Sequence, residues 1–310
     1  MSFFDEKVPK QFYFLLAAMA GVCWGTHGTF SFMLGEYGVS DHTVALISPL
    51  GVFIFFFLLI LKSDIRELAV PKRLIPLLIL YGLMSAVFNL ATIKAYFHLP
   101  VGIVHTVIFC NLFLLMIFSR ILFKTPFTAS KLLFCVLAVA GISLMLDVFG
   151  GGAFSRVGFL WTMAAMVSWA VLVTCDKLLL EKGMSGNAVL FFQGLLGFLI
   201  LSFIAPPPTA ISEIVTAVKL SGGAALIPFA GIIFITSIGS LFLYIQALKK
   251  MEPALVQLGY VMDPLTATVL GLLLFGQTLK PLQVFGVALI IGLVIAVEVS
   301  EIRAAGKETA

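Results

Sequence analysis

Apolar runs of about twenty residues, the length a membrane-spanning helix needs, follow one another along this chain with only short polar interruptions. The pattern predicts ten spans: 11–34, 42–62, 74–97, 101–123 and 130–147, then 157–180, 187–204, 224–248, 253–275 and 282–299. Uninterrupted runs, rather than alternating ten-residue segments, point to an all-α integral membrane protein and away from a β-barrel. Between the seventh and eighth spans, Pro206-Pro207-Pro208 precedes Ile211, Ile214, Val215 and Val218 at helical spacing, the pattern of a short amphipathic helix on the membrane surface. Ala18-Met19-Ala20 resembles a signal-peptidase site, but the apolar run continues to Leu34, so the first span is expected to be retained.

Composition agrees: 61% of residues are hydrophobic and 11% charged, with a mean hydropathy of +1.15, whereas soluble domains are about 25% charged. The formal charge of +4 matters less than where it lies. With ten spans, fifteen Lys and Arg fall on the side of the termini and three (Arg156, Lys219, Lys280) on the other. The positive-inside rule then predicts a multi-pass protein of the cytoplasmic (inner) membrane with both termini cytoplasmic. Nucleic acid is not an expected partner. Cys23, Cys110, Cys135 and Cys175 sit singly in apolar runs, so no metal site or cofactor is expected.

The chain repeats itself. A shift of 145 residues superimposes Trp24 on Trp169, Glu36 on Glu181, Gly38 on Gly183 and Ser40 on Ser185. A shift of 152 superimposes Ile75-Pro76 on Ile227-Pro228, Ala95 on Ala247, and Asn111 on Asp263. The expected organisation is a first five-helix repeat over 1–152 and a second over 153–310. An odd number of spans per repeat inverts the second relative to the first, the arrangement in which secondary transporters bind substrate near midplane.

The stretch 252–277 reads as one continuous span with Asp263 and Pro264 halfway along it. A carboxylate at that depth costs roughly 2.5–3.5 kcal/mol and marks a functional site. Gln257, Tyr260 and Asp263, three apart, are expected on one face, and their repeat equivalents are His105, Ile108 and Asn111. Trp24, His27 and Ser31 share a face of the first span, and Trp169 and Asp176 one of the sixth; both tryptophans lie too deep for interface anchors. The substrate-binding candidates are Trp24, His27, Asn89, His105, Asn111, Trp169, Gln257, Tyr260 and Asp263, with Asp263 also the proton-coupling candidate. Lys94 either snorkels, or meets Asp263 or a substrate carboxylate. Asp176-Lys177 is expected to form a local ion pair or to snorkel.

Trp24-Gly25-Thr26 with Phe30, Asp263-Pro264, Leu273-Leu274-Phe275-Gly276-Gln277 and residues 283–286 resemble the signatures of an EamA-type member of the drug/metabolite transporter superfamily. The chain differs from that pattern at Gln277 and Thr125, where acids are usual, and at Ser48-Pro49 and Phe109-Cys110-Asn111. The resemblance implies a ten-helix carrier of amino acids, amines or drugs, driven by protons or by exchange. The expected function is secondary active transport of a small metabolite by alternating access, with a small-molecule substrate, protons and the lipid bilayer as partners, in a monomer or homodimer. The chain is not expected to be an enzyme. The alternatives are an intramembrane enzyme or a passive channel. His27, His42, His98 and His105 all lie toward the outer side and offer no evident catalytic constellation, and no GxxxxGK[ST] sequence is present.

Overall fold

The computed structural model describes residues 9–99, 101–122, 129–145, 155–275 and 280–308, and the regular structure among them is helical. Pro100, Phe123, Thr125, Asp147, the 150–152 glycines and Gly276-Gln277 lie outside the described residues. The helices are α1 (Lys10–Gly25), α2 (His27–Glu36), α3 (Asp41–Lys62), α4 (Ile75–Tyr96), α5 (Val101–Phe109), α6 (Asn111–Leu122) and α7 (Ala129–Met145). Then come α8 (Arg156–Glu181), α9 (Gly186–Ser202), α10 (Pro207–Leu220) and α11 (Leu226–Ala230). A π-helical segment, Gly231–Gly239, leads into α12 (Ser240–Lys250), followed by α13 (Pro253–Gly259), α14 (Met262–Phe275) and α15 (Pro281–Glu308).

Among the described residues, five helical stretches are long and apolar enough to cross a membrane: Asp41–Lys62, Lys72–Tyr96, Arg156–Glu181, Leu226–Lys250 and Pro253–Leu274. A sixth counts if α9 and α10, which meet at 95°, form one bent span. Apolar residues fill the core and also cover much of the surface, and several ionisable groups are buried. Ile79, Leu160, Phe234 and Leu273 are largely exposed, whereas His27, His105, Asp176 and Asp263 are buried. This is how a bundle solvated by lipid distributes its side chains.

Three segments expected to be continuous are broken. The first is interrupted by a turn residue at Thr26, the fourth at Cys110, and the ninth at Tyr260-Val261. Pro264 therefore does not bend a helix from its middle. It is the third residue of α14, where the first-turn N–H groups have no intrahelical acceptor and a proline costs nothing in hydrogen bonding. The proline run after α9 is likewise helical: Pro206 is the N-cap and Pro207 the first residue of α10, whose fixed backbone angle suits that position.

α3 packs along α9, α4 runs between α8 and α9, and α1 lies against α12 and α14. Gly194 brings the α3 and α9 backbones together: a Cβ there would sit 2.4 Å from the backbone nitrogen of Phe53 and 2.8 Å from the carbonyl oxygen of Pro49. Both ends of the α3–α9 pair are tied. Ser40, the N-cap of α3, donates to Glu213 of α10 through its backbone N–H (3.0 Å) and its hydroxyl (2.8 Å). At the opposite end Ser185, the N-cap of α9, donates its hydroxyl to Glu67 in the short 3-10 helix Ile65–Leu68 after α3. The end holding Glu67 also carries Lys62, Arg66, Lys72, Lys182 and Lys249 and is called the basic face below.

Gly194→Ala must push α3 and α9 apart. It is expected to lower stability by roughly 1–3 kcal/mol, the usual cost of overpacking. Gly292→Ala, where nothing lies within 4 Å, is the control. The apparent melting temperature in detergent should fall for the first variant and not for the second.

Candidate functional site

The break in the ninth span positions Asp263. Gly25 of α1 lies against it so closely that a Cβ would come within 2.5 Å of the Asp263 carbonyl oxygen and 2.6 Å of the Thr266 Cβ. The Trp24-Gly25-Thr26 sequence thus serves two ends: its glycine seats the broken backbone, and its tryptophan reaches the bundle centre. Asp263 N–H bonds to Tyr260 carbonyl (2.9 Å), closing the turn that leads into α14. The carboxyl group faces α5, where His105 Nδ1 lies 2.8 Å from Oδ2. His105 Nε2 is in turn 2.8 Å from the Tyr96 hydroxyl at the end of α4.

Both His105 and Asp263 are buried. In the neutral tautomer with hydrogen on Nδ1, His105 donates to Asp263 and accepts from Tyr96. Protonation of the ring makes it a donor to both neighbours. The row can therefore hold a proton or a charge without leaving a polar atom in the bond unpaired. The second carboxyl oxygen, Oδ1, is buried and makes no hydrogen bond, and the same holds for Asn111 Oδ1 and His27 Nδ1. Buried polar atoms in that condition require explanation, and a bound ligand supplies one.

An aromatic layer adjoins the row. His27 stacks on Trp24 (centroids 4.8 Å, interplanar angle 7°), and Trp24 on Trp169 (6.1 Å, 15°). Phe88 contacts both indoles, while Tyr96 links His27 (5.8 Å) to His105 (5.5 Å). Trp169 Nε1 donates to Gln257 Oε1 (2.9 Å), and its ring meets Tyr260 at 6.2 Å. Tyr260 is held through its hydroxyl, 2.9 Å from Ser240. Beside the indole pair lies a cavity of about 20 Å³, lined among others by Ser48, Ser85, Asn89 and Gln193. That volume holds about one water-sized group. Asn89 Nδ2 donates to Ser85 carbonyl (2.9 Å), and Gln193 Oε1 is buried without a partner.

The structure thus brings Trp24, His27, Trp169, Gln257 and Tyr260 into one cluster that Tyr96 joins to His105 and Asp263; Asn89 lines its edge. Gln257 and Tyr260 both reach Trp169, and Asp263, beyond the turn at Tyr260-Val261, reaches His105. Asn111 bonds to its own helix turn, Nδ2 to Ile108 carbonyl at 2.6 Å, and makes no bond to Asp263. Lys94 stands apart, paired with Asp41, which also contacts His42 at 2.6 Å. Two histidines have acidic partners, His42 with Asp41 and His105 with Asp263. The His105 pair was hidden by a separation of 158 residues.

Asp176 also departs from expectation. It makes no ion pair with Lys177. Its two oxygens accept from the hydroxyls of Tyr81 and, at 3.0 Å, Tyr244, while Lys177 Nζ donates to the carbonyls of Leu248 and Met251 (3.1 Å each). Sequence reasoning missed Tyr81, Tyr96 and Tyr244. Their only sequence signal is a hydroxyl inside an apolar span, which needs a partner that the sequence does not name.

The family model described as the EamA-like transporter family matches residues 11–147 and again 156–297. An uncharacterized transporter of Clostridium kluyveri is 21% identical over 292 residues, covering 91% of each chain. A solved crystal structure of a protein superposes on 94% of this chain and 98% of its own with a TM-score of 0.71 at 17% identity, a likeness of fold.

Trp169→Phe removes the donor to Gln257 and leaves a buried carboxamide oxygen unpaired. The expected loss is about 1–3 kcal/mol, partly recovered in Trp169→Phe/Gln257→Leu because both polar partners are then gone. Melting temperatures of the two singles and the double, taken as a cycle, check this.

Proposed function

The chain belongs to the EamA-like transporter family, and from that membership we propose that it is a proton-coupled secondary transporter of a small amine-bearing metabolite, amino acid or organic cation. The observation that carries this reading is Asp263: a carboxyl group buried at a helix break, bonded on one oxygen to the Tyr96–His105 row, unbonded on the other, and joined through Tyr96 to stacked aromatic rings. An ammonium group matches that oxygen chemically: the carboxylate accepts its N–H, and neighbouring ring faces attract its charge once the bundle parts to admit it. A proton competes for the same carboxylate, which is the simplest route to coupling.

In this reading the two halves, 1–152 and 153–310, are inverted five-helix repeats, ten spans in all, and alternating access is their rocking about a shared core. Side-chain bonds support it. The offsets of 145 and 152 that align the sequence relate Ser48 to Gln193 and Ser85 to Ser237. Ser48 and Ser237 hydroxyls lie 2.7 Å apart, and the exchanged pair is Ser85 donating to Gln193 carbonyl at 3.1 Å. Ser40 and Ser185 are also related by 145, and each is tied to a glutamate of the other half, Glu213 and Glu67 respectively. The basic face is the cytoplasmic one, in keeping with positive-inside bias. Trp24, Phe88 and Trp169 pack ring to ring across the middle, which suits a gate that parts in turn toward each side better than a standing pore.

The test is a thermal-stability screen of the detergent-purified protein against amino acids, amines, quaternary ammonium compounds and carboxylates at two pH values. A ligand that binds the folded state raises the melting temperature in proportion to RT ln(1 + [L]/Kd). Cationic compounds are expected to stabilise the wild type, more strongly at the higher pH because protons compete, and Asp263→Asn is expected to lose the effect while staying folded. Stabilisation by carboxylates alone, or unchanged cation binding in Asp263→Asn, would remove Asp263 from the site.

A further inference from the structure

A second buried carboxyl group lies on the other side of the aromatic layer. Asp176 is 1% exposed, five residues before the end of α8 at the basic face. Tyr81 reaches it from α4 and Tyr244 from α12, one hydroxyl to each oxygen, so the carboxyl joins helices of both halves. Among the described residues no Lys, Arg or His bonds to it. Lys177, its neighbour in sequence, is turned away to the carbonyls of Leu248 and Met251. The other titratable groups facing it are Cys175 on its own helix and Tyr260 from the turn between α13 and α14. Two hydroxyl donors offset part of the cost of a buried carboxylate, but they bring no opposite charge.

Its placement relates it to Asp263. Tyr244 and Tyr260 meet edge to face at 5.9 Å, and Trp169 contacts both. Tyr244 donates to Asp176, and the turn holding Tyr260 carries Asp263. One tyrosine pair thus separates the two acids, with Asp263 beside the Tyr96 end of α4 and Asp176 beside the basic end.

We propose that Asp176 is a second proton-binding site, serving the basic face as Asp263 serves the opposite one. The site takes a proton and not a larger cation, because each oxygen is already occupied by a tyrosine hydroxyl. The carboxylate binds one proton from water as O–H when that side opens and returns the same proton to water; no other bond changes. Tyr81 and Tyr244 are positioning residues that couple the charge of Asp176 to the contact between α4 and α12. Protonation weakens that contact, so loading the site favours separation of the halves at the basic face. The inference deepens the proposed proton coupling and rests on it for its place in a transport cycle.

The experiment is an infrared pH titration of the full-length protein in lipid nanodiscs, following the C=O band of protonated carboxyl groups, with substrate absent. Asp176→Asn is expected to lose one titrating band that Asp263→Asn retains. Tyr81→Phe and Tyr244→Phe, which keep the ring packing, should each displace the midpoint of that band by about one to two pH units, the worth of one hydrogen bond to a charged group. A pH-difference spectrum unchanged by Asp176→Asn, with only the melting temperature lowered, would reduce Asp176 to a structural tie and overturn the proposal. A band that responds to sodium at fixed pH would overturn it too, in favour of a metal cation. Should Asp263→Asn retain pH-dependent cation binding, the proposed function fails at Asp263 while the Asp176 band still stands or falls on its own result.

Discussion

A polar group inside a membrane has to be satisfied by the protein or by its ligand, and the centre of this bundle is arranged around that requirement. The ninth span breaks at Tyr260-Val261, and α1 approaches the break through Gly25. The break turns Asp263 toward His105, and Tyr96 completes the row. Without the glycine, α1 could not lie where Trp24 stacks on Trp169. The polar row and the aromatic layer are thus consequences of one backbone approach.

The same economy holds between the halves. Each N-cap serine of the central antiparallel pair is bonded to a glutamate that follows the partner helix, one tie at each end of α3 and α9. The glycine contact at Gly194 brings the two backbones together between those ties. A pair fixed at both ends and interlocked in the middle is suited to act as a pivot. The flanking elements carry the breaks and the π-helical segment, where bending costs least.

The aromatic layer and the two acids make sense together. Rings are large, rigid and weakly polar, so they fill the middle of a lipid-solvated bundle while their polar edges carry hydrogen bonds: Trp169 to Gln257, Tyr260 to Ser240, Tyr244 to Asp176. Moving a ring therefore also moves a hydrogen bond. In the proposed cycle, that linkage is the route by which a change of charge at one carboxyl would reach the packing around the other.

Much of the architecture was legible before any coordinates. Run length gave helices and membrane, since lipid leaves a backbone few options; paired residues at two fixed offsets disclosed the repeat; and Asp263, Trp24 and Trp169 stood out because a carboxyl or an indole at that depth is costly or rare. Hydrophobic periodicity could not locate the breaks at Thr26, Cys110 and Tyr260, because a broken helix and a continuous one present the same apolar run. Nor could it name partners. His105 and Asp263 lie 158 residues apart, Tyr81 and Asp176 95. A hydrogen bond depends on which helix faces which, and that is decided by glycine contacts and ring packing that exist only once the bundle has closed. The chain determined by itself which polar groups stand within apolar runs; the tertiary fold decided what each buried group would touch.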